Sequence, residues 1–415
     1  MTNQDIIKTA LRVWGRELYR STSLGDLARE LGVSKAALYR HFTSKGELME
    51  AMREYCFDDY ASFLRPHCET ALKTGNRVRA IPVLFRHIAE YYIRNRNIFV
   101  FFMIQVYGDM SEGYVADQMG RRGIDVGNLR QFTENMEAYP SVGQFLIVSL
   151  VFWVARFHKV AHRQETAPSG ELVRKTIAGV EKKINSGLAL DRGRIEALDY
   201  EKLEAVTAAV TVTALEAKSA PDENRDILRA VGAVVAEVGP WNASMEMVAR
   251  RSGLSKSGLY AHFRNRQDML RQLFLTEIER IIGLAKKNIK LSAAPEEQLY
   301  LGIFSIVSYL RSHSEILIAL NWVRTRRLNL GRSSDPDLFR VFEDIAIEAL
   351  KDDENTHWIL FLVLNTMVHW SKRNSTAHAP REPRQPAEGD FSDMPNRSVR
   401  RLYRFIGLGS EGFEQ

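Results

Sequence analysis

One stretch of this chain occurs twice. Sliding the 415-residue sequence along itself by 221 positions lays residues 21–42 on residues 242–263 without a gap. Ten of the 22 aligned positions are identical: Ser23/Ser244, Ala28/Ala249, Arg29/Arg250, Gly32/Gly253, Ser34/Ser255, Lys35/Lys256, Leu38/Leu259, Tyr39/Tyr260, His41/His262 and Phe42/Phe263. Apolar positions exchange within their class, as in Leu27/Val248 and Val33/Leu254. A duplicated unit constrains the fold more than composition does, because each copy must support the same local structure.

Outside that window the copies diverge but keep the same order of helical patterns. The apolar run 143–160 has a counterpart in 358–372. Apolar residues recur three and four apart rather than two, which predicts an all-α protein with two units in tandem. The expected divisions are a first head at 1–47, a first helical body at 48–190, and a linker at 191–221 containing a helix over 200–216. A second head follows at 222–268 and a second body at 269–415. Ser219-Ala220-Pro221-Asp222 supplies the break before the second unit. The stretch 374–396, rich in Pro, Arg and acidic residues, reads as a long surface loop.

Within the first copy, Ile7, Leu11, Trp14 and Leu18 lie at helical spacing and predict one amphipathic helix. Ser23 can cap a short second helix, which Gly32 ends through a left-handed turn. Ser34 can cap a third, whose Leu38 and Phe42 face inward with Val33. Two short helices joined by a glycine turn make a helix-turn-helix. The outward face of the third helix suits a DNA groove. Ala36 and Ala37, or Ser257 and Gly258 in the second copy, are small enough for close approach to base edges. A mid-helix glycine costs about 1 kcal/mol relative to alanine, so Gly258 suggests a need for that approach. Lys35 and Tyr39, four apart, can both reach phosphates, and Arg40 points away from the core.

Ser44 and Glu47 have capping-box spacing and open a long fourth helix. Lys45 sits in its first turn, where the helix dipole disfavours a cation, and Arg266 repeats the placement after Asn265. A docked phosphate would account for both. Residues 250–266 hold five Arg or Lys and no acid, and residues 29–45 hold four against one. Each feature also has a structural reading: the lysines as solvated surface groups, and His41 and His262 as satisfied half-buried side chains.

The net charge of +6 and a pI near 9.2 suit an acidic partner only weakly. Two cysteines, Cys56 and Cys68, allow no disulfide framework and point to a reducing compartment. The first 18 residues carry charges throughout, unlike a signal peptide, and the apolar run 142–155 is too short to span a bilayer. A cytoplasmic protein without membrane contact is expected.

Leu27-Ala28, Gly32-Val33-Ser34-Lys35, Leu38-Tyr39-Arg40-His41-Phe42 and Lys45 with Leu48 resemble the N-terminal signature of the TetR/AcrR family of transcriptional regulators. The second copy carries the pattern as Val248-Ala249, Gly253-Leu254-Ser255-Lys256, Leu259-Tyr260-Ala261-His262-Phe263 and Arg266 with Met269. The resemblance implies a three-helix head, a long connecting helix, and a body of about six helices that binds an inducer and dimerises through its last two helices. It also implies that Lys35, Ala36, Ala37, Tyr39, His41 and Lys45 lie at double-stranded DNA, together with Lys256, Ser257, Gly258, Tyr260, His262 and Arg266. The departure is that two heads share one chain, so the halves are expected to pack as an intramolecular pseudo-dimer through 142–160 with 172–188 and 358–372 with 399–406. A homodimer of chains is the competing arrangement.

For a small apolar or aromatic effector, the candidate lining is Phe99, Phe101, Phe102, Tyr107, Phe152 and Trp153 in the first body, with Tyr309, Trp322, Trp358 and Phe361 in the second. Core packing competes for each of them. His158 and His162, four apart, can in principle ligate one metal, but Lys159 stands where a zinc protease needs its glutamate, and both read better as surface histidines. No phosphate-cradling loop, GxSxG elbow or CxxC pair occurs, so no enzyme, metal or cofactor is expected. Besides a ligand-responsive repressor, two readings stay open: a low-specificity architectural DNA-binding protein, and an interaction module with a vestigial head.

Overall fold

Ser23, Ser34 and Ser44 each take a backbone N–H three residues ahead, and those three caps lay out the first head of the computed structural model. The structure describes residues 2–16, 23–73, 77–103, 114–124, 142–161, 169–216, 223–313, 317, 340–376 and 395–413. No strand occurs among them. The chain divides into two compact units, residues 1–137 with 150–184 and residues 138–149 with 185–415.

In the first unit, α1 (Asn3–Arg16), α2 (Leu24–Glu30) and α3 (Lys35–Tyr39) form the head, and α4 (Lys45–Lys73) leaves it as a long helix. Ser23 and Asp26 close a full capping box on α2. Gly32 follows with φ 67°, the left-handed conformation that glycine adopts without steric penalty. Leu27, Leu38, Phe42 and Leu48 are buried, as are Ile6, Ile7, Ala10 and Leu11 of α1. The body adds α5 (Arg77–Arg94), α6 (Arg96–Phe101), α7 (Tyr114–Arg121), α8 (Val142–Ala161), whose first residues, up to 149, count with the second unit, and α9 (Gly170–Ser186). An aromatic core holds the body together: Phe57 meets Phe102 edge-on at 5.0 Å, and Tyr60 stacks on Tyr92 at 5.4 Å. Arg122, just past α7, binds Glu54 and Asp58 of α4 at 2.6 and 2.7 Å. Cys56 and Cys68 are free and buried.

Helix α8 corrects two expectations. It runs for 20 residues, longer than the apolar stretch suggested, and 143–161 is long and apolar enough to cross a membrane by length and composition. Its Phe145, Leu146, Leu150, Val154 and Phe157 are nonetheless buried inside the protein. His158 is not a surface histidine: it is 8% exposed, with Nε2 2.8 Å from the carbonyl of Tyr92. A carbonyl only accepts, so Nε2 carries the proton. His162 lies outside the described residues.

In the second unit, residues 185–190 are bonded to the end of the last α-helix, Leu188 N–H to Ile406 O at 2.8 Å and Leu190 N–H to Gly407 O at 3.0 Å. The expected linker supplies α10 (Arg192–Glu196) and α11 (Tyr200–Glu216), whose Ile195, Leu203, Glu204 and Thr207 are buried. Next come α12 (Glu223–Asn242), α13 (Met245–Ser252) and α14 (Lys256–His262), the second head, then α15 (Arg266–Ile289) and α16 (Pro295–Ser312). The last two helices are α17 (Asp353–Thr376) and α18 (Asn396–Leu408). Most of α16 is buried, so its sequence shows little amphipathic contrast. Helix α17 enters the expected loop, of which 377–394 lie outside the described residues.

Candidate nucleic-acid interface

The recognition helix of each head is built around one fully buried leucine, Leu38 in α3 and Leu259 in α14. That anchor turns the opposite face to solvent. Ser34 and Ser255 cap the two helices through the N–H groups of Ala37 and Gly258, at 3.1 and 3.0 Å. One turn on, Tyr39 is 41% exposed and Tyr260 47%, which is unusual for so large a ring and repeats at equivalent positions. The ammonium of Lys35 sits 5.9 Å from the Tyr39 ring centre, so cation and phenol share one face. Lys35, Ala36, Tyr39 and Arg40 are exposed in the first head, as are Lys256, Ser257 and Tyr260 in the second; Ala37 and Gly258 are half-buried.

Four of the expected residues are half-buried, and two of them are tied inward. His41 is half-buried, its Nδ1 2.7 Å from Oδ1 of Asn3 at the start of α1, so its ring anchors the third helix to the first. His262 is half-buried likewise. Arg266 donates Nε to the carbonyl of Ala243 at 2.7 Å, which holds the first turn of α15 against the entry to α13. Lys45 is half-buried at the matching turn of α4. The capping acids differ from a standard box. Glu47 accepts from the backbone and hydroxyl of Thr43, one residue before the cap, at 2.7 and 2.6 Å. Asp268 does the same with the N–H of Arg264 at 2.9 Å. The hydroxyl and amide bonds from Thr43 hold the Glu47 carboxyl below its ordinary pKa.

The two heads also differ at a position that identities across the repeat do not reveal. Positions 30 and 251 are equivalent, yet carry Glu and Arg. Glu30 pairs with Arg12 of α1 at 3.1 Å, whereas Arg251 pairs with Glu237 of α12 at 2.7 Å. The bridge between first and second helices survives with its polarity reversed. The signal in the sequence is the charge reversal at these two aligned positions.

The model of bacterial regulatory proteins of the tetR family matches residues 6–52 and again 227–273, two matches themselves 221 positions apart. Each head is thus similar to the tetR-family head. Over 53 residues the chain is 42% identical to the uncharacterized HTH-type transcriptional regulator YuxN of Bacillus subtilis, covering 13% of this chain and 18% of that protein. It is 40% identical over 53 residues to the HTH-type transcriptional regulator AcrR of Shigella flexneri, covering 13% and 25%. Over 64 residues it is 38% identical to the nucleoid occlusion factor SlmA of Vibrio cholerae, covering 15% and 33%. The chain thus spans no more than a third of these curated relatives, and the likeness is that of a tetR-type head. A solved structure, the fatty acid degradation regulator FadR from Bacillus halodurans, aligns with 16% identity and a TM-score of 0.35, covering 46% of this chain and 97% of that one.

The aromatic residues expected around an effector are mostly packed against each other. Phe101 and Phe102 are fully buried, Phe99 lies 5.5 Å from both Tyr92 and His158, and Tyr309 bonds Glu277 and stacks on His313 at 4.1 Å. Trp358 is fully buried in the second unit, donating Nε1 to Ser149 Oγ at 2.9 Å. Phe152, Trp153 and Phe361 are half-buried, and Phe152 meets Trp153 edge-on at 5.0 Å. Tyr107 and Trp322 lie outside the described residues. Among the described residues no cluster of His, Cys, Asp and Glu could hold a metal ion.

Proposed function

We propose that this chain is a cytoplasmic transcriptional regulator that reads double-stranded DNA with two non-identical tetR-type heads. It acts as a repressor on an imperfect palindrome, is released by a small effector and carries out no catalysis. The observation that carries the reading is the repeated exposed face, Lys35 with Tyr39 and Lys256 with Tyr260, standing on helices pinned by Leu38 and Leu259. A solvated tyrosine beside a lysine on a five- or seven-residue helix serves no core, and it presents a donor and a cation to a phosphate backbone. In this reading Ala36, Ala37 and Arg40 face base edges in one half-site, and Ser257 and Gly258 in the other. Lys45 and Arg266 steady the first turn of the connecting helix near phosphate, while His41 and His262 hold the recognition helices in place.

The divisions 1–47, 48–190, 191–221, 222–268 and 269–415 would then serve as head, body, connector, head and body. Two heads on one chain would meet successive major grooves about 34 Å apart, as paired half-sites require. Within the second unit, Trp358 meets Ser149, and Phe145 lies 5.3 Å from Phe405. In this reading the same segments, 142–160 with 172–188 and 358–372 with 399–406, would build an intramolecular pseudo-dimer.

The test is binding of the purified chain to fragments selected from genomic DNA. The Lys35→Ala/Lys256→Ala pair should weaken every selected fragment alike and lower the salt slope by about 2, one phosphate per lysine. An unchanged slope would overturn the assignment of these lysines. A second reading, an architectural DNA-binding protein, is favoured by the match to a nucleoid occlusion factor. It requires specific and non-specific fragments to bind with nearly equal affinity.

A further inference from the structure

The core of the second unit contains a carboxylate whose hydrogen-bonding capacity is filled and an arginine whose capacity is not. Glu204, buried on α11, receives Nε and Nη2 of Arg400 at 2.7 and 2.9 Å, the hydroxyl of Tyr300 at 2.6 Å and the amide of Asn396 at 2.7 Å. Those four bonds use both oxygens fully. Arg311, near the end of α16, reaches this network only through Nη1, which donates to Oδ1 of Asn396 at 2.7 Å. Asn396 is thereby fixed, its oxygen toward Arg311 and its nitrogen toward Glu204.

The other edge of Arg311 is unusual. Its Nε and Nη2 are shut off from solvent and have no hydrogen-bond partner. This is the edge with which a guanidinium grips a carboxylate through two parallel bonds, and Arg400 uses that same edge on Glu204. Phe304 lies under the guanidinium, 5.9 Å from its carbon. The network of Arg311, Arg400 and Glu204 therefore carries one positive charge more than it neutralises. Burial lowers the pKa of Arg311, while Glu204 and Tyr300 oppose that shift. A cation whose Nε and Nη2 are shut off from water and unpaired is costly, and such a group in a native fold calls for a missing acceptor.

We propose that the Nε/Nη2 edge of Arg311 is the receptor for a small carboxylate-bearing effector, which completes the Arg311–Asn396–Glu204–Arg400 network. The bound oxygens would sit beside Arg311 and above Phe304, joining α16 to α11 and α18 through a fully paired set of charges. The inference rests on the regulator reading only for its consequence at DNA. Binding itself depends on the arginine alone.

The experiment uses the full chain with acetate, butyrate and benzoate, each against its neutral amide, at ionic strength matched with chloride. The melting temperature and a calorimetric titration are read alongside the affinity for a selected DNA fragment. At least one carboxylate should raise the melting temperature saturably where its amide does not. Arg311→Gln should abolish that response, and Arg311→Lys, which keeps the charge but loses the fork, should weaken it at least tenfold. Arg311→Met should leave the free chain no less stable, because it removes an unpaired buried charge. If every carboxylate behaves as its amide, or Arg311→Gln and Arg311→Lys respond as the parent does, the proposal is overturned. Inert carboxylates with intact DNA binding would sink this inference alone. Carboxylate binding to a chain that holds no DNA would sink the regulator reading and leave the site standing.

Discussion

Gly253 and Gly258 stand five residues apart in the second head and do opposite things. Gly253 has φ 72° and closes the turn between α13 and α14, a conformation that costs an L-residue about 1–2 kcal/mol. Gly258 is helical, and an added Cβ would lie 3.3 Å from Oγ of Ser255. The first head accommodates that contact, since Ala37 bonds Ser34 in the same register. Gly253→Ala should therefore destabilise the second head by about 1 kcal/mol or more, and Gly258→Ala should stabilise it by up to about 1 kcal/mol. Amide exchange across residues 245–262 of the intact chain reads both. DNA selection by Gly258→Ala should shift in one half-site only. A stabilised variant with unaltered selection would mean that the glycine serves no groove.

At the scale of elements, the caps and turns were legible because they are local chemistry. Ser34 and Ser255 sit three residues before the N–H groups they satisfy, and spacing alone reveals that. The role of α8 was not legible, because an apolar run does not say which neighbours cover it. His158 illustrates the difference. Burial, with help from Arg96, lowers its pKa to about 4 against the bond to Tyr92 O. The unfolded chain then takes up a proton first as pH falls, so this contribution is present above pH 6.5 and is lost between 6.5 and about 4. The full loss is on the order of 3 kcal/mol. His87, lowered by burial and by the stacked ring of His67 at 3.6 Å, adds with the same sign. Urea unfolding of the chain at pH 7.5 and pH 5 should show the decline. In His158→Gln, which keeps a donor for Tyr92, the slope should flatten; an equally steep slope would place the titration elsewhere.

For the molecule as a whole, the duplication is imperfect where it faces outward. Ala36/Ser257, Ala37/Gly258 and Arg40/Ala261 differ, and the bridge at Glu30/Arg251 reverses sign. Footprints should accordingly protect two unlike half-sites, with one chain per site by light scattering. The A36S/A37G/R40A variant, which copies the second recognition helix onto the first, should select a more symmetric site. Strict two-fold symmetry with the parent chain, or two chains per site, would favour a dimer of chains with four heads.

The sequence by itself determined the duplication, the all-helical character and the exposed pairs Lys35/Tyr39 and Lys256/Tyr260, because these follow from spacing within a few residues. Only the tertiary structure decided that Tyr200–Glu216 belongs to the second unit's core and that Phe101, Phe102 and Trp358 are packed inside. It also decided that Nε and Nη2 of Arg311 are left without partners. The reason is physical: whether a side chain is covered or paired depends on groups brought from about 100 to 200 positions away, as Tyr300 and Arg400 are to Glu204. No local pattern records that meeting.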